Sequence, residues 1–280
     1  AAESQNRAHA AQQAGKFKSE IVVVKYTDDD GNERTVDADD GIRAGVTAEA
    51  LAKLKPAFAK DGTTHAGNAS QVSDGAAAVL LARRSVAKKL GLPILGKFVT
   101  AAVVGVPPNV MGIGPAFAIP RVLELTGLSK EDIEIYEINE AFASQAVMSV
   151  QHLKLPGDRV NPVGGAIALG HPLGCTGARQ IATGLAEAKR ESKKLIVTSM
   201  CIGTGMGEFS SHSLDHLALE SKIDFDSNPS SRYGLCDRQR AVIGESFCSF
   251  LLLLDFIVAF WALSLSTSKV LTRIVFCSMF

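Results

Sequence analysis

The sequence predicts an α/β domain in which helices cover a central sheet. Short runs of β-branched residues alternate along the chain with helical stretches, as expected for that class. Glycine-rich loops follow predicted strands, and open α/β sheets bind their ligands where strands end. With 280 residues, 46% of them hydrophobic, the chain is long enough to bury a sizeable core.

The first third of the chain mixes helices with short strands. Residues 1–15 are polar and alanine-rich, which favours a helix, and Ile21–Tyr26 has the β-branched residues of a strand. A turn of aspartates and glycine separates that strand from a second one at Arg34–Val36. Thr47–Leu54 predicts a helix, because its threonine is a suitable N-cap and Pro56 follows its end.

The middle of the chain predicts further alternation. Ala76–Leu81 suits a helix or a strand, and Ser85–Leu90 predicts a short helix closed by the glycine and proline that follow. Ile94–Val104 is apolar and β-branched, which indicates a buried strand. Pro107–Pro115 predicts a glycine and proline loop, and Ala116–Leu125 a helix that ends at the next glycine.

The next elements carry more polar residues. Ser129–Asp132 resembles a capping box, and Ile133–Ile138 alternates apolar with acidic residues, which predicts a strand with one buried face. A helix is predicted from Asn139 to about Leu153. Ala178–Lys189 predicts another helix, and Lys194–Met200 a buried strand.

The stretch Asn161–Arg179 concentrates glycine around a single histidine. So many glycines suit a backbone that turns sharply or lies close to a ligand. His171 stands between Gly170 and Pro172, and the fixed φ of proline leaves it few ways to move. It is either a positioned acid, base or hydrogen-bond donor, or a loop histidine that caps a turn.

Charge and cysteine content exclude some functions. Basic and acidic residues both number 29, so no net charge draws the chain to nucleic acid or to an anionic membrane. The five cysteines form neither a C-x-x-C pair nor a metal-ligand spacing, so no metal site is predicted. An odd count without a dense pattern indicates free thiols in a reducing compartment.

The composition changes after Gly207. Residues 208–246 are rich in Ser, Asp, Arg and Asn, and Phe247–Leu265 is a 19-residue apolar run interrupted by Asp255. That length is near the minimum for a membrane span, but basic residues on both sides give no orientation. The run is either a membrane anchor or a non-native tail, and the second interpretation is favoured because it has no relation to the preceding domain.

Three polar residues fall at the ends of predicted elements. Asn139 and Cys201 each follow a strand, and His171 lies in its glycine loop. A cysteine beside a histidine can act as a nucleophile or as an acid and base, because imidazole stabilises a thiolate. From residue type alone, Asn139 serves equally well as a helix N-cap, and Glu140 is expected to be a structural hydrogen-bond acceptor in the first turn of that helix.

Several motifs together resemble the thiolase family, specifically degradative 3-ketoacyl-CoA thiolases. They are GNAS at 67–70, NEAF at 139–142, GGAIALGHPLGCTGAR at 164–179 and CIGTGMG at 201–207, and the resemblance covers roughly residues 1–207. It implies a five-layered αβαβα fold, here incomplete. It also implies an acetyl-CoA C-acyltransferase that cleaves 3-ketoacyl-CoA in fatty-acid β-oxidation, with coenzyme A as co-substrate and no permanently bound cofactor.

The resemblance also implies catalytic roles. Cys201 matches the cysteine that acts as acid and base on the acetyl-CoA enolate. His171 matches the histidine that activates the nucleophile and helps to bind thioester oxygens, and Asn139 matches the asparagine that holds a water in an oxyanion hole.

The same resemblance implies contacts with coenzyme A and the acyl chain. Ser70 would lie along the pantetheine and Arg43 near the nucleotide end, while Leu51 and Phe58 would pack against the pantetheine arm. Met111 would line the acyl pocket. By residue type alone, Arg43 is a solvated charge, Met111 fills a core, and Ser70 forms a turn.

Two departures from the family pattern are expected to matter. The nucleophilic cysteine belongs to an N-terminal half that this chain is expected to lack, and Cys175 lies inside the histidine loop instead of at the nucleophile's helix start. The closing strand after Gly207 is expected to be replaced by serine-rich sequence.

The resemblance divides the chain into four parts. They are a loop region with coenzyme A contacts at 1–73, a remnant of the N-terminal domain at 74–94, the C-terminal domain at 95–207, and an atypical tail at 208–280.

Three functions are compatible with these expectations. The first is a thiolase active on acyl-CoA and CoA, and the second is an inactive fragment that binds acyl-CoA or acts as an interaction module. The third is a membrane-tethered remnant. Ketoacyl synthases are disfavoured because their second active-site residue is a histidine where this chain has Cys201. The resemblance implies a homodimer, as expected for complete family members, and a peroxisomal location, with the mitochondrion as the alternative.

Overall fold

A computed structural model describes residues 1–203 and the backbone of two further strands, at 206–213 and 272–278. The α-helices are α1 (Ala2–Gln13), α2 (Ala48–Leu51), α3 (Arg84–Lys89), α4 (Gly114–Thr126), α5 (Ala143–Leu153), α6 (Ala166–Leu169) and α7 (Thr176–Arg190). The strands are β1 (Ile21–Val22), β2 (Val24–Thr27), β3 (Glu33–Val36), β4 (Ala76–Ala82), β5 (Lys97–Gly105), β6 (Ile135–Ile138), β7 (Leu195–Ile202), β8 (Met206–Ser213) and β9 (Thr272–Ser278).

One mixed sheet organises the described residues. Its strand order is β1-β9-β5-β8-β7-β6, with β4 paired to β9, and β2 and β3 form a separate antiparallel hairpin. β6 and β7 run parallel, whereas β8 runs antiparallel to both β7 and β5. The parallel pair β6–β7 therefore places the ends of both strands at the same edge of the sheet.

Helices cover both faces of the β6–β7 pair. On one face, Ile119 and Val122 of α4 pack with Tyr136 and Val197 in a buried cluster. On the other face, α7 packs through residues that include Leu185. Each buried aliphatic side chain of this kind contributes roughly 1.5–3 kcal/mol. The predicted layered α/β fold is confirmed.

Strand β6 differs from its prediction, because all four of its residues are buried. The alternation of apolar and acidic residues predicted one solvent-exposed face. That face is instead covered by α7, and the acidic Glu137, only 1% exposed, pairs there with Arg179. A buried charge with a buried partner is indistinguishable in sequence from an exposed charge.

Strand β5 differs in the opposite sense. A fully buried strand was expected at Ile94–Val104, but β5 alternates between half-buried and exposed residues, and Val103 is 59% exposed. Ala102 and Val104 pack towards the α4 side of the sheet, so one face of β5 is covered in the described residues and Val103 points away from it.

Several shorter elements also differ from their predicted form. The strand expected at Ile21–Tyr26 is divided, because β1 joins the large sheet and β2 forms the hairpin. Ala76–Leu81, undecided from sequence, is the strand β4. Within the expected loop at Pro107–Pro115, Pro108–Ile113 forms a 3₁₀ helix that leads into α4. Ser129–Asp132 closes a turn through the Asp132 carboxylate, which accepts the Ser129 N–H at 2.8 Å, and no helix follows it.

The expectation that serine-rich sequence replaces the closing strand is wrong. β8 begins at Met206 and continues to Ser213, pairing with β7 and β5 along its length. The expected boundary at 207/208 therefore falls inside a strand. Residues 247–265, the apolar run, lie outside the described residues. No helix in the described part of the chain is long and apolar enough to cross a membrane.

Candidate functional site

The GNAS and NEAF motifs are joined by backbone hydrogen bonds. The Ser70 N–H donates to the carbonyl of Ala141 at 2.9 Å, and the Ala143 N–H donates to the carbonyl of Asn68 at 2.8 Å. These two bonds hold the loop at 67–70 along the segment that leads from β6 into α5.

The histidine loop lies against the residues that follow GNAS. The His171 N–H donates to the carbonyl of Gln71 at 3.2 Å. Gly170 has φ +85° and lies so close to Ser73 that an added Cβ would be 2.4 Å from its hydroxyl oxygen. Only glycine accommodates both that dihedral and that approach. Three sequence motifs thus meet at one place.

The Glu140 carboxylate holds the glycine loop through hydrogen bonds. Its Oε2 accepts a hydrogen bond from Ser4 Oγ at 2.5 Å and from the Ile167 N–H at 3.3 Å, and its Oε1 accepts from Asn161 Nδ2 at 2.9 Å. A Cβ added at Gly165 would lie 2.3 Å from the Glu140 carboxyl carbon. Glu140 is a structural acceptor, as expected, but it serves α1 and the glycine loop and not the first turn of α5.

Asn139 is fully buried at the end of β6. Its N–H donates to the carbonyl of Ser199 at 2.9 Å, and its own carbonyl accepts from Gln145 Nε2 at 2.7 Å. The alternative role as a helix N-cap is wrong, because α5 begins at Ala143 with Phe142 in the N-cap position. Asn139 Oδ1 has no hydrogen-bond partner within the described part of the chain.

His171 is hydrogen-bonded at both ring nitrogens. Its Nε2 lies 3.2 Å from Asn139 Nδ2, and its Nδ1 lies 2.6 Å from the hydroxyl oxygen of Thr176, the first residue of α7. Burial lowers the pKa of His171, and the positive charge of Arg179 lowers it further. The ring is therefore neutral at pH 7 and can accept a proton.

Arg179 is held by a buried ion pair with Glu137. Arg179 Nη1 lies 3.0 Å from Glu137 Oε2, and the two side chains are 8% and 1% exposed. Burial raises the pKa of Glu137 to about 7, and the charge of Arg179 opposes that rise. This pair connects α7 to β6, the strand that ends at Asn139.

Cys201 lies at the same edge of the sheet, two residues beyond Ser199. It is 8% exposed, and burial raises the pKa of its thiol. The sequence placed it after a strand, but it lies inside β7, because the pairing with β8 includes Cys201–Gly207 and continues to Ile202–Met206. A buried thiol with a raised pKa stays protonated at neutral pH and can serve as a proton donor.

Cys175 lies at the end of the histidine loop, in line with its prediction. It occupies the N-cap position of α7, the helix that follows this loop, and is 9% exposed. Its sulfur faces Gly75, where an added Cβ would lie 3.3 Å away.

The residues expected to contact coenzyme A lie mostly on the surface. Arg43 is exposed and Phe58 is 79% exposed. Leu51 is half-buried and packs so closely on Gly67 that an added Cβ there would lie 2.5 Å from its Cδ2. Ser70 is half-buried and lies, through its backbone bond, along the segment after Asn139.

Met111 lies apart from this loop, in the 3₁₀ helix before α4. It lines a cavity of about 380 Å³ together with Ser144, Gln145 and Met148. One of these lining residues, Gln145, also donates through Nε2 to the carbonyl of Asn139.

Sequence reasoning assigned no role to Thr176, Arg179 or Glu137. Thr176 and Arg179 lie within the quoted glycine motif, five and eight residues after His171. Their spacing from each other, i to i+3, places them on one side of a helix, but the predicted helix began two residues too late to include Thr176. Nothing in the sequence marks Glu137 as buried.

Two family models match the chain. A model of the thiolase N-terminal domain matches residues 1–85, and a model of the thiolase C-terminal domain matches residues 92–211. The peroxisomal 3-ketoacyl-CoA thiolase of Yarrowia lipolytica is 66% identical over 211 residues, covering 74% of this chain and 51% of that protein. Its human counterpart is 63% identical over 209 residues, covering 73% and 49% respectively. The chain spans about half the length of the curated relatives it matches.

Solved structures agree. The dimeric peroxisomal thiolase of Saccharomyces cerevisiae superposes with a TM-score of 0.67 at 49% identity, covering 76% of this chain and 53% of that one. Human mitochondrial 3-ketoacyl-CoA thiolase in complex with CoA gives a TM-score of 0.68 at 37% identity, with 76% and 53% coverage. Since both domain models of a single family match it, over residues 1–85 and 92–211, the chain belongs to the thiolase family.

Proposed function

We propose that this site serves the thiolytic cleavage of 3-ketoacyl-CoA to acetyl-CoA and a shortened acyl-CoA in fatty-acid β-oxidation. The observation that carries the proposal is the chain of hydrogen-bond contacts from Asn139 through His171 to Thr176, at the sheet edge where Cys201 lies near the end of β7. The relatives named peroxisomal 3-ketoacyl-CoA thiolase support both the reaction and a peroxisomal location.

In this reaction a thiolate attacks the C3 carbonyl of the substrate, and the C2–C3 bond then breaks. The bonding electrons pass to C2 as the enolate of acetyl-CoA, and the acyl group on the nucleophile passes to free CoA. None of the five cysteines is assigned the nucleophile's role. The residues of this site are proposed to carry the proton transfers and the stabilisation of oxyanions.

His171 is proposed to accept the proton of the attacking thiol at Nε2 and then, with the proton still on Nε2, to donate a hydrogen bond to a thioester oxygen. Its neutral state at pH 7, which burial and Arg179 maintain, suits the first step. Once protonated, Nε2–H is a charged donor, and such donors form the stronger hydrogen bonds to developing oxyanions.

Cys201 is proposed to donate its thiol proton to C2 of the enolate. Its raised pKa keeps the proton in place until the C2–C3 bond breaks. In the reverse direction the thiolate of Cys201 removes that proton from acetyl-CoA.

Asn139 is proposed to hold a water in the oxyanion hole. Its buried Oδ1, which has no partner in the described residues, is an acceptor whose burial alone costs about 1–3 kcal/mol, so it favours a donor such as water. A water held there can in turn donate to a thioester oxygen.

Coenzyme A is proposed to bind as a co-substrate along the loop that carries Ser70 and Arg43. Leu51 and Phe58 are proposed to pack against its pantetheine, which suits the large exposed surface of Phe58. Met111 is proposed to line the acyl pocket, since it borders a cavity next to Gln145.

We further propose the domain division and the assembly. The loop region spans 1–73 and the N-terminal-domain segment 74–94. The C-terminal domain begins at 95 and continues past the expected end at 207 to Ser213, where β8 ends. The S. cerevisiae relative is described as dimeric, so a homodimer is proposed for this chain. Light scattering of the full chain would return twice the 29.5 kDa monomer mass.

The proposal is tested by following hydrogen–deuterium exchange at C2 of acetyl-CoA in D₂O, alongside thiolysis of acetoacetyl-CoA. The full chain is expected to catalyse the exchange, with losses of about 10²–10⁴-fold in Cys201→Ala and about 10²–10³-fold in Asn139→Ala. His152→Ala is the matched control, because His152 lies exposed at the end of α5.

Equal exchange by wild type and Cys201→Ala would contradict the proposal. Binding of CoA that is lost in Ser70→Ala, without any exchange or thiolysis, would indicate instead a fragment that only binds acyl-CoA.

A further inference from the structure

The hydroxyl of Thr176 makes two hydrogen bonds with different requirements. It donates to the carbonyl of Pro172 at 3.0 Å, and it lies 2.6 Å from His171 Nδ1. A hydroxyl has one proton, so a hydroxyl that donates to Pro172 presents only a lone pair to His171. The ring nitrogen facing that lone pair must therefore carry the ring's proton.

Counting protons then fixes the second ring nitrogen. A neutral imidazole has a single N–H, so a proton on Nδ1 leaves Nε2 as an acceptor. Asn139 Nδ2, 3.2 Å from Nε2, is an amide donor and satisfies that acceptor. Both contacts of the ring thus agree on one tautomer.

We propose that Thr176 is a positioning residue that holds the neutral His171 ring with its proton on Nδ1 and its Nε2 lone pair towards Asn139. This inference deepens the proposed function, on which its catalytic meaning rests, because Nε2 is the atom proposed to accept the thiol proton. The tautomer itself is a property of the folded chain and can be measured without any reaction.

The position of the hydroxyl is set by the sheet. Thr176 is 1% exposed, and α7 is fastened to β6 by the Arg179–Glu137 ion pair and by Gln180 Nε2, which donates to the carbonyl of Glu137 at 2.8 Å. β6 ends at Asn139. The same strand therefore positions both partners of the histidine ring, one directly and one through α7.

The opposite arrangement has a recognisable signature. If the Thr176 hydroxyl donated to Nδ1, it would give up the carbonyl of Pro172, and the ring proton would move to Nε2. The amide of Asn139 would then present Oδ1 to that proton. The two arrangements differ in which ring nitrogen is protonated, which nitrogen NMR resolves.

The experiment uses the full chain labelled with ¹⁵N in its six histidines, with the His171 signals identified by their absence in His171→Gln. Wild type is expected to give protonated Nδ1 and unprotonated Nε2 at pH 7.5. Thr176→Val removes the hydroxyl and is expected to shift the tautomer ratio about fivefold or more towards Nε2–H, the effect of one net hydrogen bond. Thr176→Ser restores the wild-type spectrum.

Thr126→Val is the matched control. The Thr126 hydroxyl likewise donates to the carbonyl four residues earlier, that of Val122, at 2.9 Å, and it contacts no histidine ring among the described residues. Its spectrum for His171 should equal that of wild type.

An Nε2–H tautomer in wild type, or an unchanged ratio in a folded Thr176→Val, would overturn the inference. If Thr176→Val does not fold, the inference is tested by the wild-type and Thr176→Ser spectra, both of which must show a protonated Nδ1 and an unprotonated Nε2. The expected tautomer without C2 exchange would contradict the proposed function alone, whereas C2 exchange with the opposite tautomer would contradict this inference alone.

Discussion

The strand-end site and the coenzyme A loop differ in burial. The loop is the one that bears Arg43, Leu51, Phe58 and Ser70. At the strand end, Asn139 and Thr176 are almost completely buried, and the side chains of both lie within hydrogen-bond distance of the His171 ring. In the loop, Arg43 and Phe58 are exposed, and the only helix, α2, is four residues long. Substitutions at the strand end are therefore expected to change both catalysis and the free energy of unfolding. Substitutions in the loop are expected to change ligand binding with little effect on the free energy of unfolding.

The largest expected loss of stability comes from breaking the buried ion pair between Arg179 and Glu137. Arg179→Met leaves Glu137 buried without its counter-charge, so the free energy of unfolding should fall by about 3–5 kcal/mol. Arg121→Met removes a pair whose side chains are 44% and 70% exposed, and should cost at most about 1 kcal/mol. Urea denaturation of both variants measures the difference, and equal losses would mean that the buried pair is not structural.

A smaller effect is expected under the glycine loop. Gly165→Ala places a methyl group 2.3 Å from the Glu140 carboxyl carbon, and three hydrogen bonds prevent that carboxylate from moving aside. Overpacking of this kind costs about 1–3 kcal/mol of unfolding free energy. Gly174→Ala, where an added Cβ meets nothing within 4 Å, is the control in the same denaturation experiment.

Titration of His171 should couple stability to pH. Its folded-state pKa lies below the ordinary 6.5, so the neutral form is favoured on folding. The stabilisation is present above pH 6.5 and is lost as pH falls towards the folded-state pKa, with a slope of up to about 1.4 kcal/mol per pH unit. Denaturation at pH 5–7 should show a flatter dependence in His171→Gln, and an unchanged slope would assign the effect to another group.

The smallest effects on stability are expected in the loop. Phe58→Ala and Arg43→Ala should change the unfolding free energy by no more than about 0.5 kcal/mol, because both side chains are exposed. Both should weaken binding of CoA, measured by calorimetry. Unchanged affinity in both variants would remove this loop from the proposed coenzyme A site.

Local signals in the sequence predicted local structure well. Gly127, with φ +65°, ends α4 as its glycine predicted, and Thr47 accepts the Ala50 N–H as an N-cap. Both depend only on residues within one helical turn. The motifs around Asn139 and His171 likewise identified two side chains that the fold brings into contact.

What sequence did not predict depends on distant partners. The acidic alternation of β6 indicates an exposed face until α7 supplies Arg179 as a counter-charge. Thr176 is an ordinary helix residue until the ring of His171 lies against its hydroxyl. Cys201 seemed to follow a strand because its pairing with β8 lies beyond the predicted strand end.

The anchoring of the glycine loop by α1 has a consequence for folding. Ser4 contacts Glu140 and Gly165 across 136 and 161 residues of chain. Contacts of such high sequence separation close late and slow the search for the native state. Synthesis proceeds at about 5–20 residues per second. The glycine loop that packs against α1 is therefore synthesised roughly 8–30 s after α1 itself.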